Sequence, residues 1–356
     1  MREGANHKSR VGYFCSYFPK EILYAFGRVP VRVIPHPWRQ VDTDAYLPRN
    51  FCSLIKMTLA NFLAGDEMGL EAVAFMDSCD ACRRFHDVWR EYVEIEVLGF
   101  LDLPRNKDLL GQGYFYRVLR RFVTQLEARY GQELTAEKLA EAVKAYNVQR
   151  ELLQSLQEER RRGAISNSRY YQLLDDLHTQ DPLVANRRMS QALFEGGEKG
   201  EGGGPRVLLM GSLLVNRGLV ELIEGNGARV VAEDSCADGR ELREPIRELG
   251  DVDEILRDMA AKYLAKPPCP RMRDLSARFA YLTQVIADAG VDGLICSYYK
   301  FCDLFLAEFP AVREEMRRRG LPILLIEDEG EVRLSGQNRT RVEAFLEVLA
   351  KDGGHG

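Results

Sequence analysis

Residues 10–36, "RVGYFCSYFPKEILYAFGRVPVRVIPH", decide the fold class that this sequence predicts. A short apolar run at 11–14 is followed by an amphipathic stretch at 20–26 and by a second apolar run at 29–34. Short apolar runs are typical of buried strands, and the spacing of the apolar residues between them is typical of a helix. The segment therefore predicts a strand–helix–strand unit, the building block of an α/β domain.

The same rhythm returns in the second half of the chain. There "PRVLLMG", "NRGLVELIEGNG" and "ARVVAED" predict strand, helix and strand, and "VDGLICSYYKFCDLFLAEFPAVREEMRRRGLPILLIEDE" repeats the pattern. Strand signals are absent from about residue 106 to 188, where apolar residues recur at helical spacing. We therefore predict two related, doubly wound parallel-sheet lobes of the Rossmann or flavodoxin-like kind, joined by a helical segment.

The predicted boundaries follow these changes of pattern. We expect an N-terminal α/β lobe at residues 1–105, a helical segment at 106–194, a glycine-rich linker at 195–206 and a C-terminal α/β lobe at 207–356. The linker prediction rests on "EGGEKGEGGGPR", which is charged and rich in glycine.

Composition excludes several classes of protein. The chain has 356 residues, 46% of them hydrophobic, which is enough for two packed lobes. A net charge of −5 disfavours a general nucleic-acid binder. No apolar run approaches the roughly 18 residues of a membrane span, and "MREGANHKSRVGYF" lacks the apolar core of a signal peptide. We expect a soluble, cytoplasmic protein with reduced thiols that binds neither nucleic acid nor membrane.

Four of the eight cysteines lie just beyond predicted strands, and these are Cys15, Cys79, Cys236 and Cys302. Open parallel sheets bind their ligands at the carboxyl ends of the strands. Because two of the four belong to each lobe, we expect their sulfurs to face a cleft between the lobes.

The other four cysteines occupy two kinds of position. Cys52 is expected in the first turn of a helix capped by Asn50, where the helix dipole favours the thiolate, and Cys269 lies in a loop stiffened by prolines. Cys296 lies inside an apolar strand, and Cys82 lies one helical turn after Cys79 on an apolar face. We interpret Cys82 and Cys296 as packing residues, because a buried thiol behaves as a small hydrophobe.

Several kinds of site can use such cysteines. Structural zinc favours paired short spacings, but the chain has one Cys-x-x-Cys and no two histidines at ligand spacing. A thioredoxin-like dithiol at Cys79 and Cys82 would leave the other positions unexplained, and scattered buried thiols are a third alternative. Iron–sulfur ligation fits best, since it uses thiolates that are far apart in sequence.

Five motifs carry a resemblance to a known family, and these are "GYFCSYFPKEILYAFGRVPVRV", "LPRNFC", "SCDACRRFHDVW", "KFCDLFLAEFP" and "TRVEAFLEVL". They resemble the 2-hydroxyacyl-CoA dehydratase and benzoyl-CoA reductase family, and most of all its branch of double-cubane cluster proteins. The resemblance runs from about residue 11 to 349, with the motifs in the family's order.

The resemblance implies a set of metal ligands. Dehydratase subunits hold one four-iron cube with three cysteines, which match Cys52, Cys79 and Cys302 here. The double-cubane branch adds three more, which match Cys15, Cys236 and Cys269, and holds two cubes joined by a bridging sulfide, an [8Fe–9S] cluster. Each cube then has three irons that need an outside ligand, so six thiolates are required, and we expect each trio to hold one cube in the inter-lobe cleft.

The resemblance also implies a function. Such proteins receive single electrons from a separate ATP-hydrolysing iron–sulfur activase, and the double-cubane proteins resemble homodimers. We expect the catalytic, electron-accepting component of such a pair, which reduces a small substrate at its cluster. One alternative is a single-[4Fe–4S] subunit of a dehydratase or benzoyl-CoA reductase; another is a non-catalytic electron-transfer or cluster-storage protein.

No nucleotide motif is apparent, since "EGGGPR" precedes a strand and "GQG" and "GNG" lack the rest of a dinucleotide fingerprint. Four charged residues lie beside the matched motifs and are candidates for tuning the cluster or relaying protons: Glu21, Asp80, Lys300 and Asp303. The alternative for both aspartates is helix capping.

Overall fold

The computed structural model describes residues 8–37, 41–196, 203–215, 217–330 and 334–352. Residues 197–202 of the predicted linker lie outside the described residues. The N-terminal elements are β1 (Arg10–Tyr13), α1 (Lys20–Ala25), β2 (Val29–Arg32), α2 (Ser53–Leu63), β3 (Leu70–Met76), α3 (Asp80–Tyr92) and β4 (Glu96–Leu101).

Four helices follow: α4 (Leu109–Tyr130), α5 (Ala136–Arg162), α6 (Asn167–Thr179) and α7 (Pro182–Glu195). The C-terminal elements are β5 (Arg206–Gly211), α8 (Gly218–Gly225), β6 (Arg229–Asp234), α9 (Val252–Ala265), α10 (Leu275–Ala289), β7 (Gly293–Tyr299), α11 (Asp303–Arg318), β8 (Ile323–Asp328) and α12 (Gly336–Asp352).

The two halves of the chain form sheets of the same topology. The first has the strand order β2-β1-β3-β4 and the second β6-β5-β7-β8, and every strand pair in both is parallel. In each sheet the order reverses beside the first strand, which leaves a crevice at the carboxyl ends of the strands. The predicted α/β class and the two parallel-sheet lobes are confirmed.

Helices cover both faces of each sheet. In β3, Ala74 and Met76 pack in one apolar core, whereas Val73 and Phe75 pack in another. Strand β5 divides Leu209 and Met210 between two cores in the same way. Successive strand residues point to opposite faces, so a strand buried on both sides reads as a continuous apolar run.

The core of the first lobe includes residues from the second half of the chain. Leu242 and Ile246, together with apolar residues of α9, pack in the same cluster as Val11 of β1 and Phe122 of α4. The connection is also polar, because the buried carboxylate of Glu21 accepts hydrogen bonds from Arg150 of α5 and, at 2.8 Å, from Tyr263 of α9. These contacts connect the two lobes through a shared interior.

No helix within the described ranges combines the length and the apolar character that crossing a membrane requires.

The packing around Gly12 of β1 gives a test of this core. A Cβ at Gly12 would lie 2.8 Å from Leu70 Cδ1 and 2.9 Å from methyl carbons of Val33 and Val73. We expect Gly12→Ala to destabilise the protein by about 1–3 kcal/mol, the usual cost of overpacking. The measurement is the urea unfolding midpoint of anaerobically purified protein.

Gly113→Ala is the matched control. Gly113 lies in α4, and outside that helix no described atom lies within 4 Å of an added Cβ. Alanine should therefore stabilise the helix by roughly 0.5–1 kcal/mol. If Gly12→Ala unfolded at the same urea concentration as Gly113→Ala, the close packing described here would be wrong.

Candidate functional site

A single cavity between the lobes is lined by all six cysteines that the sequence analysis selected. Its volume is about 110 Å³. Cys15 and Cys79 follow β1 and β3 of the first sheet, and Cys236 and Cys302 follow β6 and β7 of the second. The carboxyl edges of both sheets therefore contribute sulfurs to one space.

Three of the sulfurs lie at helix N-termini. Cys52, Cys79 and Cys302 are the N-cap residues of α2, α3 and α11, and the backbone N–H of Cys82 donates to Cys79 Sγ at 3.3 Å. The expectation that Asn50 caps α2 is wrong, since Cys52 itself occupies that position. An N-cap residue lies beside the free N–H groups of the first turn, where the helix dipole favours a thiolate.

A backbone hydrogen bond between the lobes brings two of these caps together. The N–H of Ser53 donates to the carbonyl of Lys300 at 3.1 Å. Phe301 has a φ of 61°, and this left-handed conformation, which a bulky residue rarely adopts, turns the chain from β7 into α11. Ser53 follows Cys52, and Phe301 precedes Cys302, so both thiols meet at this junction.

Cys52, Cys79 and Cys302 line the same cavity, and their pKa values are shifted by burial and by one another. A hydrogen bond with Cys302 lowers the pKa of Cys52 most, and burial opposes it, while N–H groups of α2 lower it further. The same bond raises the pKa of Cys302, and burial adds to this effect. Burial raises the pKa of Cys79 most, and the thiols of Cys82, Cys52 and Cys15 raise it further.

A second trio consists of Cys15, Cys236 and Cys269. Burial raises the pKa of Cys269 to about 12, and Cys236 is the next contributor. Burial also raises the pKa of Cys15. For Cys236 burial is outweighed by the guanidinium groups of Arg240 and Arg32, which lower its pKa.

Buried cations beside this second trio are functional candidates that the sequence analysis missed. Arg240 Nη2 donates to Cys236 Sγ at 3.4 Å, and Lys266 Nζ donates to Ser16 Oγ at 2.8 Å. Arg32 lines the cavity with 1% of its surface exposed, yet its Nε and Nη1 have no hydrogen-bond partner within the described part of the chain. Arg240 lies four residues after Cys236, and Lys266 lies three residues before Cys269, so their closeness to the cysteines in sequence could have identified them. Arg32 lies in the apolar run "VPVRV", where nothing in the sequence distinguishes it.

The two remaining cysteines differ from each other. Cys296 is fully buried in β7, with its sulfur 3.9 Å from Met210 Sδ, and it does not line the cavity. Cys82 packs with Phe85 and Trp89 as expected, but it also lines the cavity. All eight cysteines are free thiols.

The four charged candidates lie in different surroundings. Asp80 and Asp303 are the first residues inside α3 and α11, so the prediction that they cap these helices is wrong. Lys300 is ion-paired with Glu329 at 2.8 Å, and Glu21 is fully buried with Arg150. None of the four lines the cavity.

Among the described residues, no three Cys, His, Asp or Glu side chains are arranged to hold one metal ion. A larger, more open groove between α1, α5 and α7 is lined by Lys138, Leu183, Asn186 and neighbouring residues, and no described cysteine reaches it. The thiols therefore surround a volume that is separate from this groove.

Comparison with known proteins identifies the family. The family model described as "2-hydroxyglutaryl-CoA dehydratase, D-component" matches residues 15–349. The chain belongs to this family. The match begins at Cys15 and spans both lobes, so it includes all seven cysteines that line the cavity.

Three relatives agree with this assignment. The chain is 24% identical over 346 residues to the (R)-phenyllactyl-CoA dehydratase beta subunit of Clostridium sporogenes, covering 95% of this chain and 91% of the relative. It is 23% identical to the (R)-2-hydroxyglutaryl-CoA dehydratase subunit beta of Acidaminococcus fermentans, covering 97% and 93%. It is also 23% identical to one of the subunits of benzoyl-CoA reductase from Thauera aromatica, covering 91% and 86%. The chain thus belongs to a family that includes subunits of dehydratases and of a reductase.

The charge network behind Cys236 gives a second prediction. Asp234 is fully buried and accepts from Arg240, at 2.8 Å, and from Arg278. Asp234→Asn would leave two buried guanidinium groups short of negative charge, so we expect a loss of about 3–5 kcal/mol in the free energy of unfolding. Urea denaturation under anaerobic conditions measures it.

Glu314→Gln removes the same charge from an exposed helical ion pair with Arg317 and Arg318. Because solvent screens such pairs, this control should change the unfolding midpoint little. Equal midpoints for the two variants would show that the Asp234 network does not stabilise the fold.

Proposed function

We propose that this chain is the catalytic iron–sulfur component of an ATP-dependent, low-potential reductase system. It would accept single electrons from a separate ATP-hydrolysing activase and reduce a small substrate at a double-cubane [8Fe–9S] cluster. The observation that carries the proposal is the cavity itself, which six cysteines from both lobes line.

The donor set fits such a group. Each iron of a double cubane, apart from the two that the bridging sulfide joins, takes one thiolate, so the sulfurs must be spread around a volume. A mononuclear site instead needs several ligands on one atom. The six cysteines come from six separate segments; Cys52 and Cys302 act on each other, Cys236 acts on both Cys15 and Cys269, and Cys79 is influenced by Cys52 and by Cys15. This grouping supports the expected division, with Cys52, Cys79 and Cys302 holding one cube and Cys15, Cys236 and Cys269 the other.

When bound, the cluster would supply single electrons at low potential. The chain's own residues would hold the sulfurs as thiolates, bond to them and limit the access of water. The N-termini of α2, α3 and α11 favour thiolates in the first trio, and Arg240 donates to Cys236 in the second. The apolar part of the cavity wall includes Phe14, Leu304 and Phe305.

The proposed partners rest on the resemblance rather than on contacts. An ATP-hydrolysing activase is implied for this family, and the relatives named above are subunits, which supports a multi-component system. A homodimer is proposed from the double-cubane branch, and a cytoplasmic location from the requirement for reduced thiols.

The main alternative is a single-[4Fe–4S] subunit of a dehydratase or benzoyl-CoA reductase. It is favoured by the names of the relatives, which are subunits of enzymes that act on CoA thioesters. In that case Cys15, Cys236 and Cys269 would have no ligand role, although they line the same cavity.

Iron content separates these possibilities. Anaerobically purified protein should contain about eight irons per chain if two cubes are bound and about four if there is one. Cys236→Ala, Cys15→Ala and Cys269→Ala should each lose roughly half of the iron, since each removes a ligand from one cube.

Cys296→Ala is the matched control, because Cys296 is buried away from the cavity. It should keep the full iron content. About four irons in the unaltered protein, unchanged by Cys236→Ala, would favour the dehydratase-type subunit.

Turnover with a partner tests the catalytic role. The iron-loaded protein, mixed anaerobically with an ATP-hydrolysing iron–sulfur activase, ATP and a panel of small reducible substrates, should consume a substrate only when ATP and activase are both present. ATP-driven reduction of the bound iron without turnover of any substrate would favour the remaining alternative, an electron-transfer or cluster-storage protein.

A further inference from the structure

The two cysteine trios differ in the source of positive charge around them. Helix N-termini carry Cys52, Cys79 and Cys302, and the leading influences on the pKa values of these thiols are burial, neighbouring thiols and backbone N–H groups. The other trio, by contrast, has Arg32, Arg240 and Lys266 as its cationic neighbours.

Two of these cations lack a carboxylate partner in ion-pair range among the described residues. Arg240 pairs with Asp234 at 2.8 Å. Lys266, 3% exposed, instead donates to the hydroxyl of Ser16 and to the carbonyl of Arg240. Arg32 is 1% exposed, and its Nε and Nη1 form no hydrogen bond with any residue that the structure describes.

Nearby carboxylates do not cancel this charge. Glu241 influences both Lys266 and Arg32, but its own ion pair is with Lys20 at 3.0 Å. Burying an unpaired cation is costly, and such groups are normally compensated by an anion. Arg32 lines the cavity, so the compensating anion would lie inside it, on the side of Cys15 and Cys236.

We infer that Arg32 and Lys266 are positioning residues that make the Cys15, Cys236 and Cys269 side of the cavity the one that takes up the first electron. An added electron is stabilised more where positive charge is closer to it, and the effect is larger in a buried site of low dielectric constant. In this step the activase loses one electron and the cluster gains one, and no covalent bond in this chain is made or broken. The inference rests on the proposed function, since it requires the double-cubane cluster.

The test is the midpoint potential of the first one-electron reduction, followed by EPR during anaerobic titration with Ti(III) citrate. Arg32→Met and Lys266→Met should each lower this potential by about 59 mV or more, which is a tenfold fall in the equilibrium constant. Arg32→Lys keeps the charge and should restore most of the potential. Arg318→Met removes an exposed cation at the far end of α11 and should leave the potential unchanged.

Iron analysis of each variant keeps the outcomes distinct. Failure of the unaltered protein to bind about eight irons would refute the proposed function. A full iron content with potentials equal to that of Arg318→Met would overturn only the inference. If Arg32→Met loses iron, the other two variants test the inference. A lowered midpoint potential in Lys266→Met supports it, and a potential equal to that of Arg318→Met in Lys266→Met overturns it.

Discussion

The six cysteines proposed as metal ligands line one cavity, and each can serve as a ligand only as a thiolate. Burying negative charge costs free energy unless positive charge or hydrogen-bond donors lie beside it. The structure places helix N-termini beside one trio and the cations Arg32, Arg240 and Lys266 beside the other. In each trio one thiol, Cys52 or Cys236, has a lowered pKa, whereas burial contributes to raising the pKa of the other four. The cavity, the proposed cluster and its proposed redox behaviour all depend on this compensation.

The duplicated fold explains why the sulfurs can meet. Both sheets have the same strand order and present their carboxyl edges to the same space. A shared apolar core connects the two lobes. The buried hydrogen bonds of Glu21 with Arg150 and Tyr263, and the backbone hydrogen bond from Ser53 to Lys300, add polar connections. A cavity made at such a junction can be lined by residues that are far apart in sequence.

Local patterns predicted the strands and the cysteines beyond them well, because a buried strand and the position after it are visible in a few residues. The helix caps were predicted less well, since Asn50 and the aspartates are better caps by propensity than the cysteines that occupy those positions. The packing of Leu242 and α9 into the first lobe was not predictable, because periodicity shows that a helix has an apolar face but not which sheet it covers. Arg32 was missed for a similar reason, as an unpaired buried cation is a property of the folded state.

The central claim is that the two trios grip one large cluster between the lobes. An anomalous difference map at the iron edge, from anaerobically grown crystals, tests it most directly. The account predicts about eight iron positions inside the cavity, with each trio bound to a separate group of irons. Iron bound to one trio alone, or at a site away from these six sulfurs, would contradict it.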